Sequence, residues 1–154
     1  MTQDISAADY RRLFAPSKSG AHKRKEQPAL DLRTSSGRGF ELHLGGVTHP
    51  PINEWKSWHW RKYNAEKKRW REMILPFTRT MYHVAIGSRV AVEVVFRFPD
   101  HRRHDPDNYS PKFILDALVA GKVLPDDDCR VVRKLLVECL TGCAYPGTSV
   151  ILLP

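Results

Sequence analysis

Asp105 and Asp107 flank a single proline in Arg102-Arg103-His104-Asp105-Pro106-Asp107-Asn108, and three further aspartates, Asp126 to Asp128, follow after one short predicted helix. Carboxylate oxygens are the ligands a hard cation such as Mg²⁺ prefers. On extended backbone the Asp105 and Asp107 side chains point the same way, and Pro106 restricts both its own φ and the backbone of Asp105. Holding the pair in that arrangement costs little. Carboxylates converging from two turns repel one another unless a divalent ion lies between them, because otherwise at least one pKa has to rise. A Mg²⁺ ion bound by one or two carboxylates and several waters activates a hydroxide and stabilises displacement at a phosphodiester. Lys112, on the following helix, would then sit where charge develops on phosphate or leaving oxygen. Each turn also has a plain structural reading, since Asp-Pro-Asp-Asn is good turn chemistry and Asp126 to Asp128 suits a solvated loop. An EF-hand is excluded by Tyr109 and Ser110, and a restriction-type core by the absence of an acidic-x-Lys after Pro99-Asp100.

The elements that must position these groups can be read from periodicity. Phe40, Leu42 and Leu44 alternate with Glu41 and His43, the pattern of a half-buried strand that Gly45-Gly46 and Pro50-Pro51 end. Residues of about 54–75 are rich in Lys, Arg, Glu and Ala, carry aromatics from Trp55 to Trp70, and stop at Pro76, which predicts a first helix. Arg89 to Phe98 suits a long strand that delivers the chain to the Asp105 turn. Ser110 as cap, Pro111 at the first helical position and Gly121 at the end predict a second helix over about 110–120, with Lys112 and Asp116 on one face and Phe113, Ile114, Ala117 and Leu118 buried. Arg130 to Leu140 and Thr148 to Leu153 are β-rich and separated by Gly142 and Pro146-Gly147, which suggests a closing hairpin. The expected fold is a small mixed-sheet α/β domain in the order β-α-β-α-β-β, spanning residues 37–154.

Residues 1–36 hold the basic run His22-Lys23-Arg24-Lys25 and few bulky apolar positions after Phe14, so they read as a flexible basic arm with a short helix at about 6–14. The 154 residues carry 25 Lys and Arg against 17 Asp and Glu, a net charge of +8, which favours an anionic polymer or surface as partner. No apolar run reaches the roughly 20 residues of a membrane span and no apolar secretory core opens the chain, so no membrane is expected and the location is intracellular. Cys129, Cys139 and Cys143 are odd in number and lack a second ligand pair at zinc-finger spacing, so they read as reduced thiols.

Arg103-His104-Asp105-Pro106-Asp107-Asn108, Lys112, Leu115-Asp116-Ala117-Leu118, Gly121 and Val123-Leu124-Pro125-Asp126-Asp127-Asp128, together with Pro50-Pro51-Ile52-Asn53 upstream, resemble the RusA-like Holliday junction resolvases, many of them phage or prophage encoded. The resemblance covers about residues 40–153. It implies a homodimeric, Mg²⁺-dependent endonuclease, with Mn²⁺ as an alternative ion, that makes paired nicks in four-way branched DNA during recombination and repair. A cytoplasmic location in a bacterial or phage-infected cell goes with it. Carried over by position, Asp105, Asp107 and one aspartate of the second turn are the metal ligands and Lys112 the catalytic lysine. Lys112 falls one residue later than in the family pattern, and Asp127 is favoured over Asp126 and Asp128 as the second acid of the Leu-x-Asp-Asp run. The first 36 residues have no counterpart in it.

The first helix and its surroundings supply candidate DNA contacts. Arg61 and Lys62 belong to a dense basic run, and all four tryptophans lie in or beside it. Cations there give sequence-independent affinity for phosphate, and aromatics stack on bases or pack on the sheet. Trp58 and Trp70 are expected in the core, with Trp55 and Trp60 more open. Asn53 and His59 either contact DNA or cap and pack, and Arg103 and Asn108 complete the candidate set. The rival reading is a non-catalytic basic nucleic-acid-binding protein whose acidic turns only space its strands. Another is a small interaction protein whose charge serves a protein partner.

Overall fold

The computed structural model describes residues 40–78 and 89–154, together with the backbone of 30–33. The expected helix at about 6–14 lies outside the described residues. The strands are β1 (Leu30–Arg33), β2 (Phe40–Gly45), β3 (Val90–Arg97), β4 (Val132–Leu140) and β5 (Gly147–Leu153), and the helices are α1 (Ile52–Trp55), α2 (Trp60–Ile74) and α3 (Lys112–Ala120). The sheet order is β1-β2-β5-β3-β4, with β3 and β4 parallel and every other pair antiparallel. This is the small mixed α/β domain the periodicity predicts.

Alternation along the central strands builds one apolar face. Leu42, Val150 and Val94 form a row across β2, β5 and β3, and Phe40, Leu152 and Val92 form the next. All six are buried. α2 and α3 cover this face with Trp70 and Ile74 from the first and Phe113, Ile114, Ala117 and Leu118 from the second, each set at the spacing of a helical stripe. Truncating a leucine in such a row to alanine costs about 2–5 kcal/mol.

Four expectations change on meeting the structure. The hairpin of the last two strands does not form: β5 lies between β2 and β3, and β4 pairs only with β3, in parallel. Segment spacing alone could not separate a hairpin from a strand inserted two places away. The helix read over about 54–75 is two helices, α1 and α2, because His59 leaves helical geometry at ψ 143 and restarts the chain as the N-cap of α2. Ser110 does not cap α3, which begins at Lys112 after an N-cap at Pro111. Lastly, β1 falls inside the last residues of the span read as an arm, where Leu30 and Leu32 alternate with Asp31 and Arg33 and the backbone pairs with β2.

Gly121 closes α3 for a reason other than a left-handed turn. Its φ is −82°, and the left-handed residue is Lys122 at φ 59°. A Cβ at Gly121 would lie 2.3 Å from Cγ2 of the buried Thr78, so glycine is required by the close approach of the chain that follows α2.

Candidate active site at the acidic turns

β3 ends at Arg97 and the chain crosses to α3 through residues 98–111, which carry the Asp105 turn. This crossing is braced from within. The His104 ring stacks on Phe98 with centroids 3.6 Å apart, its Nε2 lies 3.0 Å from Asp100 Oδ1, and its Nδ1 lies 3.0 Å from the Tyr109 hydroxyl. A carboxylate only accepts, so Nε2–H donates to Asp100 and, in the neutral ring, Nδ1 accepts from Tyr109. The bond from His104 holds the Asp100 carboxyl below the usual carboxylate range, aided by the Arg102 amide. Tyr109 in turn packs on Phe96 and Phe98, and burial pushes its hydroxyl pKa up. Pro106–Asn108 form one 3₁₀ turn on this base, with Asp105 extended at its start.

The Pro-Pro segment fastens both ends of the turn. His49 is buried, with Nδ1–H donating to the Pro50 carbonyl at 2.8 Å and Nε2 accepting the Phe113 amide at 3.4 Å. It stacks on Phe113 at 4.9 Å between centroids. Burial lowers its pKa to about 4 against the opposing Pro50 bond, so the ring is neutral and able to accept. One otherwise unsatisfied amide in the first turn of α3 is thereby satisfied by a residue 64 positions upstream. Farther along the same segment, the Asn53 amide donates to Asn108 Oδ1 at 3.1 Å. Local sequence carries no signal for either bond.

Lys112 opens α3 with its ammonium 3.1 Å from Asp116 Oδ1. Lys67 of α2 comes within 3.1 Å of Oδ2 of the same carboxylate, off hydrogen-bond geometry, so its contribution is charge and not a directed bond. Partial burial lowers the Lys112 pKa, but the Asp116 hydrogen bond and charge outweigh it, with further help from Tyr63 and Asp127, and the net shift is upward. The amine stays protonated at neutral pH. The part played by Asp127 places the second turn within electrostatic reach of Lys112.

Within that second turn the three aspartates divide. Asp126 Oδ1 accepts the Asp127 amide at 2.7 Å. Asp128 Oδ1 accepts the Arg130 amide at 2.8 Å and Oδ2 accepts its guanidinium, which holds the Asp128 carboxyl low. No hydrogen bond or ion pair engages the Asp127 carboxylate among the described residues, and the same holds for Asp107. Asp105 is paired with Arg103, whose Nε donates to Oδ1 at 2.9 Å.

The candidate residues are therefore joined in part. Asn53, Asn108 and the Asp105–Asp107 turn form one unit, and Lys112, Asp116 and Asp127 another. The strand ladder does not unite the turns, because the first follows the end of β3 whereas the second precedes the start of β4, which pairs with the start of β3. Among the described residues no three His, Cys, Asp or Glu side chains are gathered closely enough to hold a metal ion. The donor type is that of a hard cation, with one unengaged carboxylate on each turn, Asp107 on the first and Asp127 on the second, and only Asp127 within electrostatic reach of the protonated Lys112. Mg²⁺ needs only one or two of them, since it keeps several waters.

The candidate DNA contacts lie outside the core. His59 caps α2 through Nδ1, which accepts the Arg61 amide at 3.3 Å. Arg61 lies over the Trp60 ring at 5.5 Å, and Lys62 over Trp58 at 3.9 Å while also 3.6 Å from Glu54. Trp60 is 62 % exposed and Trp70 fully buried, as expected. Trp55 and Trp58 exchange their expected places: Trp55 packs on the core against Tyr63 and Phe113, and Trp58 lines a surface groove of about 410 Å³ with His49, Glu54, Lys62, Arg69 and Tyr109. The break between α1 and α2 rotates Trp58 off the buried stripe. Among the described residues no helix is long and apolar enough to cross a membrane. No protein-family model and no curated protein matches the chain.

Proposed function

We propose that this protein is a Mg²⁺-dependent, structure-selective endonuclease that makes paired nicks in four-way DNA junctions, working in the cytoplasm as a homodimer of RusA-like type. The reading is carried by Lys112: a protonated amine held by Asp116, under the influence of Asp127, on a helix whose first turn and preceding acidic loop are both fastened to the Pro-Pro segment. Asp105, Asp107 and Asp127 are the residues to hold Mg²⁺ or Mn²⁺, which when bound supplies an activated water and neutralises phosphate charge. Lys112 presents a positive donor to the scissile phosphate or its leaving oxygen. Arg61, Lys62 and Arg103 contribute exposed cations for backbone phosphates, and Trp60 an open ring for an unpaired base. Asn53 and Asn108 set the position of the acidic turn, and His59 sets the start of α2. A cation held by Asp105 would compete with the Arg103 guanidinium that now pairs with it, which would leave Arg103 for phosphate.

The test is incubation of the purified chain with four-way and linear DNA, with and without Mg²⁺, beside Asp107→Asn. Metal-requiring, junction-selective nicking that Asp107→Asn abolishes is the expected result. Tight, metal-independent binding without nicking would instead establish the non-catalytic binder, a reading favoured by the ungathered acidic side chains.

A further inference from the structure

We infer that β4 is the dimerisation edge, pairing antiparallel with β4 of a second copy about a two-fold axis at Leu136. β4 ends the sheet, and among the described residues nothing pairs with its outer edge. It is nine residues long and exposes Leu135, Leu136 and Leu140 by 44 %, 41 % and 37 %. A long apolar strand with unpaired backbone groups is a template for another strand. Val132–Leu140 has neither proline nor glycine to interrupt pairing, and the charges it carries, Arg133, Lys134 and Glu138, are the groups that decide which strand can join it.

The residue order of β4 selects the occupant. Two antiparallel copies of one strand in a common sheet are related by an axis perpendicular to that sheet, so partners across it sit on the same face and share odd or even numbering. Centring the axis on Leu136 sets Leu136 against itself, Lys134 against Glu138, Val132 against Leu140 and Leu135 against Val137. Opposite charges meet twice, and apolar positions meet apolar ones except where Arg133 faces Cys139. Moving the centre by one residue either way sets Lys134 against Leu136 or Glu138 against Leu136, and the charge pairing is lost. Within its own chain Lys134 is only 4.0 Å from Glu93, an extended and exposed contact that leaves its charge available. The product is a continuous sheet running through two domains. It deepens the proposed function by giving the second nicking centre a defined partner surface, but it is read by mass and not by cleavage.

Sedimentation of the full chain over a concentration series tests it, with far-UV circular dichroism confirming that each variant folds. Wild type is expected as a dimer. Lys134→Glu and Glu138→Lys each place like charges opposite one another twice and should weaken the dimer about tenfold, while the double charge swap restores it. Leu136→Asp should give a folded monomer. A wild-type monomer at all concentrations overturns the inference, as does a dimer indifferent to Leu136→Asp or weakened singles that the swap leaves unrepaired. Those last outcomes leave another surface, or another segment of the chain, as the occupant. Junction nicking with a monomeric wild type would overturn the edge while sparing the nuclease, and a β4 dimer without nicking would do the reverse.

Discussion

The Asn53 amide donates to the Asn108 side-chain oxygen at 3.1 Å across 55 residues, which ties the start of the helix after the Pro-Pro pair to the acidic turn. An exposed neutral bond contributes about 0.5–1.5 kcal/mol, here at the low end, too little to govern folding. Its value to the site is orientation, where small misplacement is costly. Asn108→Ala is expected to leave the melting temperature within a few degrees of wild type and lower Mg²⁺-dependent nicking about tenfold or more. Asn108→Asp, which keeps the accepting oxygen, should retain more of it. Paired melting and nicking measurements on the two variants check this.

Asp116 is the half-buried partner that Lys112 and Lys67 share. Removing its charge leaves two ammonium groups facing a neutral side chain. Asp116→Asn should cost about 1 kcal/mol or less in stability, because both lysines are substantially exposed and solvent screens them. The larger effect falls on Lys112, whose upward pKa shift depends on that carboxylate. Its loss should move the alkaline limb of the pH–rate profile to lower pH, whereas a purely structural role for Asp116 would lower the rate without moving that limb.

His49 makes stability sensitive to pH in a defined window. Burial holds its folded pKa at about 4, against 6.5 for the free group, so the unfolded chain binds the proton first on acidification. Its contribution is complete above pH 6.5 and is lost as pH falls toward 4, at up to about 1.4 kcal/mol per pH unit and about 3 kcal/mol in all. Chemical denaturation from pH 7 to 4 should show this slope. His49→Phe should flatten it while costing some stability at pH 7, since the Phe113 amide loses its acceptor.

Much of this architecture was legible in the residues. Phe40, Leu42 and Leu44 announce β2, and Phe113, Ile114, Ala117 and Leu118 announce the buried side of α3, because burial on one face imposes a period. Strand order was not legible: the apolar runs of β4 and β5 look alike, and only the sheet shows that one is central and the other an edge. Caps supplied from afar escaped for a related reason, since Ser110 is the local candidate for α3 while His49 does the work. The acidic residues stand out by type and spacing. Their division into unengaged Asp107 and Asp127 and turn-bound Asp126 and Asp128 depends on backbone geometry that composition does not encode.

The most direct test of the proposed shared-cation site is Mn²⁺ binding followed by electron paramagnetic resonance in wild type, Asp107→Asn and Asp127→Asn, without DNA or with an uncleavable junction. One Mn²⁺ per chain is expected, with each substitution weakening it about tenfold or more because the two turns share the ion. An affinity unchanged by Asp127→Asn, or two independent ions each lost with one turn, would contradict the joining of these carboxylates around a single metal.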